Sequence, residues 1–143
     1  MKTGLEMVDD VYSLINKPEV KALINGMIAK HRRPKASKRK DIVVGSLALS
    51  AFQLQQGITN VNIHIPNLKG WDTLDGIADD QQPDSATFKA ITSVIVPLLD
   101  AQYKETFHTA VMDAPNLGQD SDGTWYMNIR VNYYAVINNF KNL

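Results

Sequence analysis

Three histidines, His31, His64 and His108, are the side chains best suited to metal binding or to proton transfer near neutral pH. None has a second histidine or a carboxylate two, three or four residues on, so no metal-motif spacing is present. Their expected role is structural or solvated. The chain has no cysteine, which excludes disulfides, thiol nucleophiles and thiolate metal sites. Serines 13, 37, 46, 50, 85, 93 and 121 form no G-x-S-x-G elbow. The eight glycines are scattered and make neither G-x-G-x-x-G nor G-x-x-x-x-G-K-[ST]. Two acidic stretches, one holding Asp72, Asp75, Asp79, Asp80 and Asp84 and the other Asp113, Asp120 and Asp122, lack the spacing and distal Glu of a calcium loop. Paired carboxylates for glycoside chemistry meet in space rather than in sequence, and no pair is singled out here. The expectation is a protein without catalytic residues, cofactor or metal.

Charge is the more informative signal. Lys plus Arg and Asp plus Glu both number 15, so no global field pulls the chain toward nucleic acid or membrane. That balance hides one basic segment. Arg32, Arg33, Lys35, Lys38, Arg39 and Lys40 are six of the 15 cations, packed into residues 32–40. No aromatic residue is interleaved for stacking on bases, which makes nucleic acid the less expected partner. The segment reads either as a solvated loop or as a docking patch. If it docks, acidic protein surface suits it as well as phosphate. Asp72, Asp75, Asp79 and Asp80 would supply such a surface on a second copy of the chain.

These loops must be carried by a scaffold. A length of 143 residues fits one domain over 1–143, with a long acidic connector at 67–84 and a fraying tail at 138–143. Acidic residues precede any apolar run, so no cleavable leader is expected. The uncharged stretch from Ile42 to Leu68 is interrupted by Gln, Asn and His, which argues against a bilayer span.

Leu5, Val8, Tyr12 and Ile15, joined by Val11 and Leu14, predict an N-terminal helix that ends at Asn16-Lys17-Pro18. Pro18 can open a short helix over Glu19 to Ile24, stopped by Asn25-Gly26. Strands are expected at Met27 to Arg33, Asp41 to Ser50, Thr59 to Pro66 and Thr106 to Met112, with a turn or bulge at Phe52 to Gly57. Asp84-Ser85 should cap a helix over 85–102, broken near Pro97. Asp113 to Gly123 reads as loop. Trp125, Met127, Ile129, Val131, Tyr133, Ala135 and Ile137 alternate at period two, the strongest strand signal in the chain.

The expected fold is therefore α+β: a mostly antiparallel sheet of about four to five strands, with the N-terminal and central helices on one face. The expected inward set is Val43, Leu47, Leu49, Val61, Ile63, Ile65, Trp125, Met127, Ile129, Val131 and Tyr133, meeting Phe88, Ile91, Ile95 and Leu98. Tyr126 and Tyr134, with Asn128, Arg130 and Asn132, would form a polar-aromatic outer face, either solvated or an interface.

In element order this chain resembles the tail-completion or tail-terminator proteins of tailed bacteriophages. The residues that carry the likeness are Val11-Tyr12-Ser13-Leu14-Ile15 with Leu23-Ile24-Asn25-Gly26, Arg32-Arg33-Pro34, Val61-Asn62-Ile63-His64-Ile65-Pro66 and Trp125-Tyr126-Met127-Asn128-Ile129-Arg130-Val131. The likeness spans most of residues 5–137 and includes no catalytic signature. It implies a cofactor-free α+β protein that forms a ring, often hexameric, at the head-proximal end of a tail tube. Its partners would be other copies of itself, the tail tube protein and a head-completion protein. Its place would be the virion, or the bacterial cytoplasm before assembly. A head–tail connector or neck adaptor, and a small bacterial binding domain, are the alternatives.

Overall fold

Thr3 nucleates the first helix, its Oγ1 accepting the Glu6 N–H at 3.4 Å. In the computed structural model, which describes residues 1–136, this helix is α1 (Gly4–Ile15). Met7, Val8, Val11, Leu14 and Ile15 are buried. Leu5, expected on the apolar stripe, is exposed. The buried arc is centred on Val11, and at about 100° per residue Leu5 lies well outside it. Pro18 opens α2 (Pro18–Lys21), a single turn that seats Val20 and ends before the expected Ile24.

The strands follow as β1 (Ile28–Lys30), β2 (Asp41–Leu49), β3 (Leu54–Ile65), β4 (Trp71–Asp72) and β5 (Ala78–Asp79). After α3 (Ser85–Leu99) come β6 (Gln102–Tyr103), β7 (Phe107–Val111), β8 (Asn116–Gln119) and β9 (Trp125–Val136). Seven of them form one sheet in the order β1-β2-β3-β9-β7-β6, with β8 also on β9, while β4 and β5 pair only with each other. The class is α+β, as expected. The sheet is larger than expected and mixed, because β1 runs parallel to β2. The additional strands, β6 and β8, are too short to leave a periodic signal. β8 lies inside the stretch read as the loop Asp113 to Gly123; β9 supplies its hydrogen-bonding partners, Asn116 opposite Asn128 through Gln119 opposite Trp125. Likewise the supposed turn at Phe52 to Gly57 is strand from Leu54 onward, paired with β9 from Val136. The expected positions Ile137 and 138–143 lie outside the described residues.

The inward face of β2 differs from expectation. Ile42 and Val44 sit opposite Ile63 and Val61 on the core side, whereas Val43 sits opposite Asn62. The register then slips between Ser46 and Ala48, so Leu47 is the extra residue of a bulge and is exposed. Past the bulge Leu49 returns to the core side, opposite Gly57. Gly57 must be glycine: a Cβ there would lie 2.7 Å from Met7 Sδ and 2.5 Å from the Ala48 carbonyl oxygen. On β3 and β9 the alternation holds, with Val61, Ile63, Ile65, Ile129, Val131 and Tyr133 buried and Trp125 and Met127 packed at the margin.

Asp84 caps α3, accepting from the Thr87 N–H at 3.2 Å and Thr87 Oγ1 at 2.7 Å. The helix ends at Leu99, just past Pro97 and short of the expected residue 102. Phe88, Ile91, Ile95 and Leu99 face the core; Leu98, expected there, is only partly covered. Both helices pack on the same side of the sheet. A polar clamp ties α1 to β9: Lys2 Nζ lies 2.6 Å from Asp10 Oδ2, and the Tyr133 hydroxyl donates to the same carboxylate.

Candidate functional site

The basic loop is organised by one buried acid. Asp41, at the start of β2, is 1% exposed. Its Oδ1 accepts the Met27 N–H at 2.9 Å, and its Oδ2 accepts Arg33 Nε at 2.9 Å and Ser37 Oγ at 2.5 Å. Burial works against its charge. The hydrogen bonds from Ser37, Arg33 and Met27 outweigh that penalty and hold the carboxyl below the usual carboxylate range. Gly26 makes room for this carboxylate, since a Cβ there would stand 2.0 Å from Asp41 Oδ1. Arg33 also donates to the Arg39 carbonyl at 2.7 Å, and the Lys40 N–H donates to Asn25 Oδ1 at 2.8 Å. Arg33 is thus an internal brace. Arg32, Lys35, Lys38 and Arg39 are exposed and Lys40 is half-buried.

The acidic connector is partly built. Thr73 and Ile77 close the β4–β5 hairpin through an N–H to carbonyl bond of 2.9 Å, with Gly76 in the left-handed region at φ 74°. Asp72, Asp75 and Asp80 are exposed. Asp79 is engaged locally: it accepts Gln82 Nε2 and the Gln81 N–H, both at 2.9 Å, and these bonds lower its carboxyl pKa.

Both loops lie at the same end of the sheet. Asp41, which follows the basic loop, stands opposite His64, and the connector begins just after Ile65. The loop before β9 is bonded to the connector there: Trp125 Nε1 donates to the Gln81 carbonyl at 2.7 Å and Asn67 Nδ2 to the Gly123 carbonyl at 2.9 Å. Between the three loops is a cleft of about 530 Å³, lined among others by Arg33, Lys38, Lys69, Asp80 and Asp122. Of the charged residues singled out from sequence, the structure brings Arg33, Lys38 and Asp80 to this cleft. Arg32, Lys35, Arg39, Lys40, Asp72, Asp75 and Asp79 do not line it. Among the described residues no ion pair joins 32–40 to 72–84.

His64 sits beside this cluster with its side chain 13% exposed and Nδ1 4.0 Å from Asp120 Oδ2. Burial, and then the charge of Arg33, push its pKa down, although Asp120 pulls the other way. Sequence reading missed Asp41, Asp120 and Asp122 as members of one cluster, because nothing in their spacing links them. It also missed that Trp71, Leu74 and Ile77 stand exposed on the hairpin. On the outer sheet face Asn128 Nδ2 donates to Asn62 Oδ1 at 2.7 Å and Asn60 Oδ1 at 3.2 Å, above a shallow hollow of about 430 Å³. Among the described residues no group of three metal-ligating side chains occurs. Nor is any helix long and apolar enough to cross a membrane.

No family model and no curated protein matches the sequence. Several solved structures do match; in one of them, 12% identical, the likeness covers 95% of this chain and 98% of that one, with a TM-score of 0.54. At that identity the likeness shows the fold alone.

Proposed function

We propose that this protein is a non-enzymatic virion structural protein of the tail-terminator kind. It forms a ring that caps the tail tube and offers a surface for joining the head. Its partners are further copies of itself, the tail tube protein and a head-completion protein. It resides in the virion, or in the host cytoplasm before assembly.

One observation carries this reading: the basic loop and the acidic hairpin occupy the same end of the sheet. Rotation about an axis leaves height along that axis unchanged. Opposite charges at one height can therefore meet between neighbours around a ring whose axis runs along β2 and β3, and a heterologous contact of that kind closes when the rotation divides a full turn. The apolar core is enclosed beneath the two helices, so the loops and the polar outer face are what the molecule presents to partners.

The test is deletion of the gene in a phage that encodes it. Tail tubes of uncontrolled length, unattached to heads, are the expected outcome, restored by the protein supplied in trans. Tails of normal length on filled heads would refute the reading. Normal tails left unjoined to heads would move it to a neck adaptor.

A further inference from the structure

Resting on the ring reading, we propose that the β4–β5 hairpin is an arm that docks on the basic loop of a second copy of this chain. The hairpin forms its own two-stranded sheet, apart from the main one. A two-stranded hairpin is marginal in water without something to pack against. Yet it carries three large apolar side chains into solvent: Trp71 at 45%, Leu74 at 107% and Ile77 at 64% exposure. None belongs to the core cluster.

Charge chooses the occupant. Between Trp71 and Asp80 the chain has four acids and no cation, and between Arg32 and Lys40 it has six cations and no acid. Lys and Arg stems cover apolar surface while their charged ends reach carboxylates, so a loop of this composition suits both features of the arm. Met27, 52% exposed, adds an apolar seat beside that loop, since its N–H binds the Asp41 carboxylate at the loop's end. The arm does not serve its own loop. Its base, at Lys69 and Asp80, borders the cleft shared with Arg33 and Lys38, but the tip at Leu74 is fully exposed and no ion pair reaches it among the described residues. The same loop on a neighbour lies at the same height and completes the contact.

The absence of cysteine makes a direct test available. Leu74→Cys and Lys38→Cys are made as single variants and mixed under mild oxidation. A cross-linked pair is expected from the mixture and not from either variant alone. No mixed cross-link, or equal cross-linking within each single variant, would overturn the arm. Sedimentation of the Leu74→Ser/Ile77→Ser variant is the second measurement. Its apparent dissociation constant should rise by roughly tenfold or more, the effect of losing an apolar anchor, while its melting temperature is unchanged. Retention of the parent's assembled mass would overturn the arm and leave the ring reading standing. Mixed cross-links in a protein whose deletion leaves tails normal would instead retain the arm and remove the tail-terminator reading.

Discussion

Asp41 keeps its charge inside the protein because three donors converge on it, the Met27 N–H just before β1 and Arg33 and Ser37 of the basic loop. Arg33 and Lys38 are both cations of one loop, and the structure separates them. Replacing Arg33 with Met strips a buried carboxylate of its counter-charge and should cost about 2–3 kcal/mol, less than when every partner is lost. Lys38→Met should stay within about 0.5 kcal/mol. Urea unfolding of the two variants checks the contrast. His64 is in the opposite position, buried with no hydrogen-bond partner for Nδ1 among the described residues. The unfolded chain protonates this histidine near pH 6.5, while burial and Arg33 hold the folded pKa lower. The unfolded state then binds more protons as pH falls below about 6.5, so stability present above that pH is lost toward the folded pKa. His64→Gln should flatten this part of the stability–pH curve, read from melting temperatures between about pH 7 and 5.

At the scale of elements, β3 and β9 are the spine of the sheet, paired without a break from Leu54 opposite Val136 to Ile65 opposite Trp125. Ile129 and Val61 face each other at its centre, both fully buried. Ile129→Asp places an unpaired carboxylate there. Its cost of several kcal/mol against a total of about 5–15 should leave no cooperative melting transition. Leu47→Asp is the companion measurement. Leu47 has the parity of outward-facing Val43 and stands at the bulge, exposed to solvent, so this variant should melt within a few degrees of the parent. A large destabilisation at Leu47 would mean that this position faces the core and that the assignment of faces on β2 is wrong.

For the whole molecule, the proposed assembly gives the exposed charges of the two loops their role, whereas Arg33 of the basic loop serves the fold through Asp41. Exposed ion pairs contribute about 0–1 kcal/mol each and are screened by salt, so in the proposed ring they would set the register between copies more than the affinity. Assembly should weaken from low to high ionic strength without vanishing, the apolar part of the contact being retained. Replacing Lys38, Arg39 and Lys40 together with Ser should slow assembly and reduce its salt dependence, as followed by light scattering. An unchanged rate and salt response would make the loop a solvated connection.

By itself the sequence determined the local elements. Pro18 and Asp84 mark helix boundaries, and the alternation through Val61-Ile63-Ile65 and Ile129-Val131-Tyr133 assigns faces, because caps and periodicity act between residues a few positions apart. It also showed that opposite charges are segregated along the chain. Only the tertiary structure decided where those charges stand. Ile42-Val43-Val44 is apolar on both faces, so its parity was open until β3 supplied partners, and the bulge then returned Leu49 to the core side. β8 became a strand because β9 had an edge to fill. Asp41 found its counter-charge through a loop closure, and His64 met Asp120 across a long separation in sequence. A side chain's burial and partner depend on what the rest of the chain brings beside it, and for the rim of this sheet three separate loops had to converge before charge, cleft and exposed arm formed one surface.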